Sequence, residues 1–320
     1  MFDERPPPNE AALILRALKT MALADDAFDP RERHFLEINQ RLFDLDLDLD
    51  ALAPIDVDDL AAGITAPELR ATLVQRLVVM AMLDEIVHPG ELALLRRIAS
   101  ALAVDEPAIE TMQRLVEGRL RVLAFDLGRR TFGPATLRRA WSEDGIAGMW
   151  RLARSALRLP DEALHERYQH LGSYPQGSLG RLFYEHCSRN EFKLPGDRGG
   201  PPPHLVFHDL GHVLAGYDTD PLGEVQMGGF EAGYMREDSF SNTLLVLFLF
   251  HLGINVAPGE QPPARGLFDL DRFIAAYRRG RAMRVDLRAW DPWPFMDPPR
   301  PKVRDYLEIP AAEGPRTRPR

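Results

Sequence analysis

The chain has 320 residues, of which 45% are apolar, 27% charged and 8% aromatic, enough to fill one large core or two ordinary ones, and this excludes an intrinsically disordered protein. The 39 lysines and arginines stand against 48 aspartates and glutamates, a formal net charge of -9, so no whole-protein attraction to nucleic acid is expected. The one cysteine, Cys187, can close neither an internal disulfide nor a structural zinc cage, which fits a reducing, cytoplasmic setting.

Residues 1–19 carry early acids and no basic segment running into an apolar stretch, so no export or organelle signal is expected there. Residues 11–42 and 68–102 then show apolar positions at three- and four-residue spacing, and at an offset of 59 they align as two copies. Met21-Ala-Leu-Ala-Asp-Asp falls on Met80-Ala-Met-Leu-Asp-Glu, and each copy continues to a Pro and, two residues later, a Glu. Pro30 and Pro89 suit the first position of a new helix, and Glu32 and Glu91 can reach back to the open amides there. The copies therefore predict two helical hairpins packed on each other.

Between them, Phe43-Asp-Leu-Asp-Leu-Asp-Leu-Asp50 alternates like a strand, yet aspartate is disfavoured in sheets, so it is read as an acidic connector. A third long helix is predicted over 106–125, followed by turn residues at 128–134. Residues 145–158 place Ile146, Trp150, Ala153 and Leu157 on one stripe with Arg151, Arg154 and Arg158 beside it. That pattern suits either the headgroup layer of an anionic membrane or an ordinary helix with solvated arginines. The longest strongly apolar stretch, Leu244 to Phe250, is far short of the ~20 residues that cross a bilayer. No run of strands is predicted, so the fold class is all-α, in two helical domains: 1–127, a linker helix over 128–159, 160–310, and a disordered tail over 311–320.

The chemistry concentrates in His204-Leu-Val-Phe-His-Asp-Leu-Gly-His-Val-Leu-Ala-Gly216 and the residues up to Glu224. Three prolines precede the stretch and Gly216 sits where a helix would end in a left-handed cap. His208 and His212, four residues apart on that helix, point from one face to a common point. Asp220 followed by Pro221 starts a second helix, with Glu224 in its first full turn. An antiparallel hairpin would bring Glu224 alongside the histidines, with Asp209 on the adjoining face. Two imidazoles and one or two carboxylates suit Zn2+, with Fe2+ and Mn2+ as alternatives, and leave positions for water or substrate. His204 and Glu231 are read as either outer partners of the site or structural residues.

His208-Asp-x-x-His212, then eleven residues, then Glu224 resembles the signature of the ubiquinone biosynthesis family called coenzyme-Q protein 4. Tyr174-Pro-Gln-Gly-Ser-Leu-Gly-Arg181 is similar to a turn of that family, and Tyr277-Arg-Arg-Gly-Arg281 and Pro301-Lys-Val-Arg-Asp-Tyr-Leu-Glu-Ile309 fit its closing pattern. The resemblance covers about 160–310 and implies a metal held by His208, Asp209, His212 and Glu224. It further implies a polyprenylated quinone precursor or other isoprenoid lipid in an apolar groove, work at the inner membrane face, and association with other ubiquinone-biosynthesis proteins. Catalysis of oxidative decarboxylation at C1 of the ring is implied too, with Asp209 as metal ligand or proton carrier. Residues 244–252 are read as either one wall of the prenyl pocket or a plain core helix. The N-terminal residues resemble the TerB-like (tellurite-resistance) family through Ala24-Asp-Asp to Glu32 and Leu83-Asp-Glu to Glu91, which implies a second acidic metal site or, where helix capping accounts for the glutamates, a domain for association. A homo-oligomer is expected.

Two other functions fit the same residues. In one, the metal only staples the hairpin of a non-catalytic lipid-binding scaffold. In the other the protein is a zinc hydrolase, against which Asp209 counts, being one methylene shorter than the usual glutamate base.

Overall fold

The structure is a computed structural model that describes residues 1–25, 28–123, 125–127, 159–255 and 264–311. The protein is all-α, as its periodicity predicts: the described residues contain no strand, only isolated bridges between Ser178 and Pro299 and between Leu252 and Arg265. No helix among them is long and apolar enough to cross a membrane. The basic amphipathic stretch 145–158 and the tail from 312 onward lie outside the described residues. The chain divides into two compact units, Met1–Gly128 with Thr243–Asp271, and Arg129–Asn242 with Arg272–Arg320.

The first unit is built on the repeat. Helices α1 (Pro8–Ala22) and α2 (Pro30–Phe43) make one hairpin, and α4 (Pro67–Met80) and α5 (Pro89–Ala101) make the other, with the short α3 (Val57–Gly63) between them. Pro8 and Pro67, like Pro30 and Pro89, open equivalent helices 59 residues apart, each at a position whose amide needs no partner. Glu32 accepts the Asp29 backbone N–H at 2.8 Å and Glu91 accepts that of His88 at 2.9 Å, so both glutamates close the helix starts that the spacing predicts. The acidic connector stays out of any sheet; the Lys19 ammonium donates to the Leu49 and Asp50 carbonyls at 2.7 and 2.9 Å. The third helix differs from expectation. It runs only over α6 (Pro107–Val116), because Gly118 takes a left-handed φ of 69° and breaks the run before helical residues resume at Leu120.

Residues 243–271, which the sequence division leaves with the C-terminal half, group with this first unit. Several ties fix them there: the His251 Nε2–H donates to the Leu83 carbonyl at 2.8 Å, Arg265 pairs with Glu85 at 2.8 Å, and Asp271 takes His34 at 2.6 Å and Arg41 at 3.2 Å. The apolar run Leu244 to Leu252 is buried throughout apart from the partly exposed Leu249.

The second unit contains α7 (Glu162–Gln169), α8 (Leu179–Arg189), α9 (Val206–Ala215), α10 (Pro221–Tyr234) and α13 (Arg300–Tyr306). It also holds the start of α11 (Ser239–Phe250) and most of α12 (Leu270–Arg281). Its core gathers Phe183, Leu210, Leu214, Phe230, Tyr234 and Met296. Helices α10 and α12 meet backbone to backbone. A β-carbon on Gly229 would lie 2.5 Å from the Phe273 carbonyl oxygen, one on Gly233 2.1 Å from that of Tyr277, and one on Gly280 2.0 Å from that of Phe230. That contact pins α10, the helix on which the site's carboxylates stand.

Candidate metal centre

Local sequence places each ligand. Helix α9 ends at Gly216, whose φ of 80° turns the chain back, and α10 starts at Asp220, whose carboxylate accepts the Gly223 N–H at 2.7 Å. Pro221 fills the first helical position. The elbow that the sequence predicts thus stands His212 one turn before the bend and Glu224 one turn after it.

His208, His212 and Glu224 converge. The two Nε2 atoms are 3.2 Å apart, His208 Nε2 is 3.3 Å from Glu224 Oε2, and His212 Nε2 is 3.4 Å from Glu224 Oε1. The opposite edge of each ring is already engaged: His212 Nδ1 lies 3.1 Å from the Tyr217 carbonyl, and His208 Nδ1 lies 2.9 Å from Glu231 Oε1. A carbonyl and a carboxylate only accept, so both Nδ1 atoms carry their protons and both Nε2 atoms are left to offer lone pairs. Three electron-rich atoms therefore face one point, an arrangement that asks for a positive charge at its centre. Zinc bonds of about 2.0–2.1 Å to each atom of a tetrahedron put those atoms about 3.3 Å apart; the two Nε2 atoms stand at 3.2 Å, each faces a different Glu224 oxygen, and one ligand atom from each residue lies within 4.8 Å of the others. The donor set fits a divalent cation on the chemistry of its atoms and on their separation.

The electrostatics agree. Burial alone would push the Glu224 carboxyl up, yet the two imidazoles outweigh it and hold the group at about 2. For His208, burial works against the charged ring, but Glu231 and Glu224 raise its pKa well above the ordinary value. His212 and Glu224 are buried, whereas the His208 side chain is 39% exposed, so the centre opens to solvent on the His208 side.

The other predicted residues fall differently. Asp209 does not converge with the three; its half-buried carboxyl is pushed up by desolvation and lies 3.9 Å from His186 Nε2. His204, in the 3-10 turn before α9, is not among the converging side chains, and Glu231 is the residue that orients His208. The acids Asp25, Glu32, Asp84 and Glu91 of the first unit form no converging ligand set, and Glu32 and Glu91 serve their helix starts.

His186 was not legible in the sequence. It stands on α8, whose first turn is set by Ser178 accepting the Arg181 N–H at 3.3 Å, and its ring stacks on His212 with centroids 5.6 Å apart and planes 20° off parallel. Arg279 braces the same corner by donating to the Ala215 carbonyl at 3.1 Å and lying over the Tyr217 ring at 5.0 Å.

No protein-family model matches the chain, and no curated protein matches it. The centre is thus defined by its own atoms: two imidazoles and a carboxylate, tautomers fixed from behind, and one side open.

Proposed function

We propose that this is a metal-dependent protein of ubiquinone biosynthesis that acts on a polyprenylated ring precursor at the membrane face, with zinc at His208, His212 and Glu224. The observation that carries the reading is the convergence of three lone-pair atoms whose tautomers are fixed by Tyr217 and Glu231. The order of residues behind it, His208-Asp-x-x-His212 with Glu224, is the one that resembles coenzyme-Q protein 4.

A divalent ion bound there supplies Lewis acidity toward a ring oxygen or carboxylate. The chain's own residues do the rest. Glu224 and His212 hold the ion from the buried side, and His208 stands at the open side where substrate would enter. Asp209, whose carboxyl is pushed above the ordinary range by burial, is suited to carry a proton. The reaction that fits is oxidative decarboxylation at C1 of the ring: the C1–carboxyl bond breaks to release CO2, water supplies the hydroxyl that replaces it, and two electrons and two protons pass to a two-electron acceptor such as a quinone, because zinc takes none. The apolar surface for the prenyl tail and the partner enzymes belong to this same proposal.

Elemental analysis of protein purified without added metal tests the reading. Near-stoichiometric metal is expected in the parent and its loss in His208→Ala and in Glu224→Ala. Organic extraction of the same samples should release a prenylated ring compound. Equal metal in all three proteins would remove the site. Metal with a bound lipid but no turnover of a prenylated ring carboxylate would leave the scaffold reading.

A further inference from the structure

His251 stands one residue past the end of α11, in the stretch 243–271 that groups with the first unit, and it is only 1% exposed. Its Nε2 lies 2.8 Å from the Leu83 carbonyl, which only accepts, so the proton of the ring is on Nε2. The other nitrogen, Nδ1, is buried and meets no hydrogen-bond partner among the described residues, and the Phe268 ring stands edge-on to the imidazole with centroids 6.0 Å apart. The His251 backbone carbonyl takes the Gly266 N–H at 2.9 Å, so the same residue ties two parts of the stretch together. One side chain thus links this strap to the turn between α4 and α5, in a state that only the neutral ring satisfies.

The charges around the ring are already committed to one another. Arg31 on α2 pairs with Asp29 at 3.1 Å and also with Glu85, which takes Arg265 of the strap at 2.8 Å. Asp84 accepts the Ile86 N–H at 3.0 Å. A proton added at Nδ1 would therefore create a buried donor with no acceptor and a positive charge facing Arg31. Burial, ahead of the repulsion from Arg31, lowers the pKa of the ring, although the Leu83 carbonyl and the Glu85 and Asp84 carboxylates oppose the shift.

We propose that His251 is a pH-operated catch: the neutral ring seats residues 249–254 and 264–267 on the turn that carries Leu83, and protonation at Nδ1 lifts them off it. A ring released to solvent takes up its proton at the ordinary value of about 6.5, whereas the seated ring stays neutral. The seat is therefore fully held above that value, and below it the released population grows about ten-fold for each pH unit until the seated ring itself protonates.

Hydrogen exchange of the full-length protein at pH ~7.5 and ~5.5, corrected for the intrinsic effect of pH on amide exchange, tests this, and protection of 249–254 and 264–267 should fall about ten-fold in the parent. His251→Gln keeps an N–H donor for the Leu83 carbonyl but takes up no proton, and its protection should be the same at both values. Equal protection at both values in the parent would overturn the proposal, as would an equal fall in parent and variant. A titration of the parent followed by nitrogen-15 imidazole shifts needs no variant. It should show the Nε2–H tautomer of His251 for as long as the strap stays protected, and a ring that titrates near the ordinary ~6.5 with the strap still protected would sink the catch.

Discussion

Glu231 Oε1 stands 2.9 Å behind His208 Nδ1, seven residues and about two helical turns along α10 from Glu224 on the other side of the same ring. One helix thus supplies both the carboxylate facing the ion's place and the carboxylate that orients its most exposed ligand. Glu231→Gln leaves an acceptor but removes its charge and should weaken zinc binding by about ten-fold, and Glu231→Ala by about a hundred-fold. Competition with a chromogenic chelator measures both, and unchanged affinity in the alanine variant would take Glu231 out of the centre.

Metal should also stabilise the fold, since the ligands come together only in the folded state. At a free zinc level about 100 times the dissociation constant, unfolding should become harder by about 2.7 kcal/mol, and this gain should vanish in His212→Ala. Urea titration with and without zinc reads it directly.

The close approach of α10 and α12 leaves no room for a methyl group. Gly233→Ala would force a β-carbon to within 2.1 Å of the Tyr277 carbonyl oxygen and 2.7 Å of the Arg281 nitrogen, both rigid backbone. A loss of about 3 kcal/mol is expected, together with weaker metal binding, because α10 carries Glu224 and Glu231. Asp220→Ala removes only the helix cap and should cost about 1 kcal/mol, with Asp220→Asn close to the parent.

In the first unit, burial pushes the Glu91 carboxyl up to about 8, with Asp84 and Glu32 adding to it. Burial likewise pushes Glu32 up to about 7, with Asp25 and Asp84 adding to it. A carboxyl raised in the folded state binds its proton more tightly there than in the unfolded chain. Its effect on stability is therefore absent below the ordinary carboxyl pKa and becomes a growing penalty as pH rises toward about 8. Glu91→Gln keeps an acceptor for the His88 N–H and cannot ionise. It should match the parent near pH ~4 and exceed it by about 2 kcal/mol near pH ~8.5, after discounting for solvent screening. Thermal melts across that range would show a flatter profile for the variant; parallel profiles would contradict the assignment.

The elbow was legible because it is written in local chemistry: a four-residue histidine spacing, a glycine that accepts a left-handed turn, and an Asp-Pro helix start. The hairpin repeat was legible for the same reason, through proline and glutamate at fixed offsets. His186 was not, since its place depends on how α8 packs against α9, and no spacing within one helix encodes that. The exclusion of Asp209 from the ligand set was hidden likewise: its neighbour in sequence points at the ion's place, but its own side chain leaves the helix in another direction. The run Leu244 to Leu252 reads as uniformly apolar, and periodicity could not say which core receives it.

That run bears on how the protein can be handled. The chain crosses from one unit to the other inside α11 and returns inside α12. A gene fragment ending at residue 128 would lack the strap that meets Leu83, Glu85, His34 and Arg41, and one beginning there would carry that strap with nothing of its own to receive it. Neither half is a stand-alone reagent, and the metal chemistry is best pursued on the uncut polypeptide.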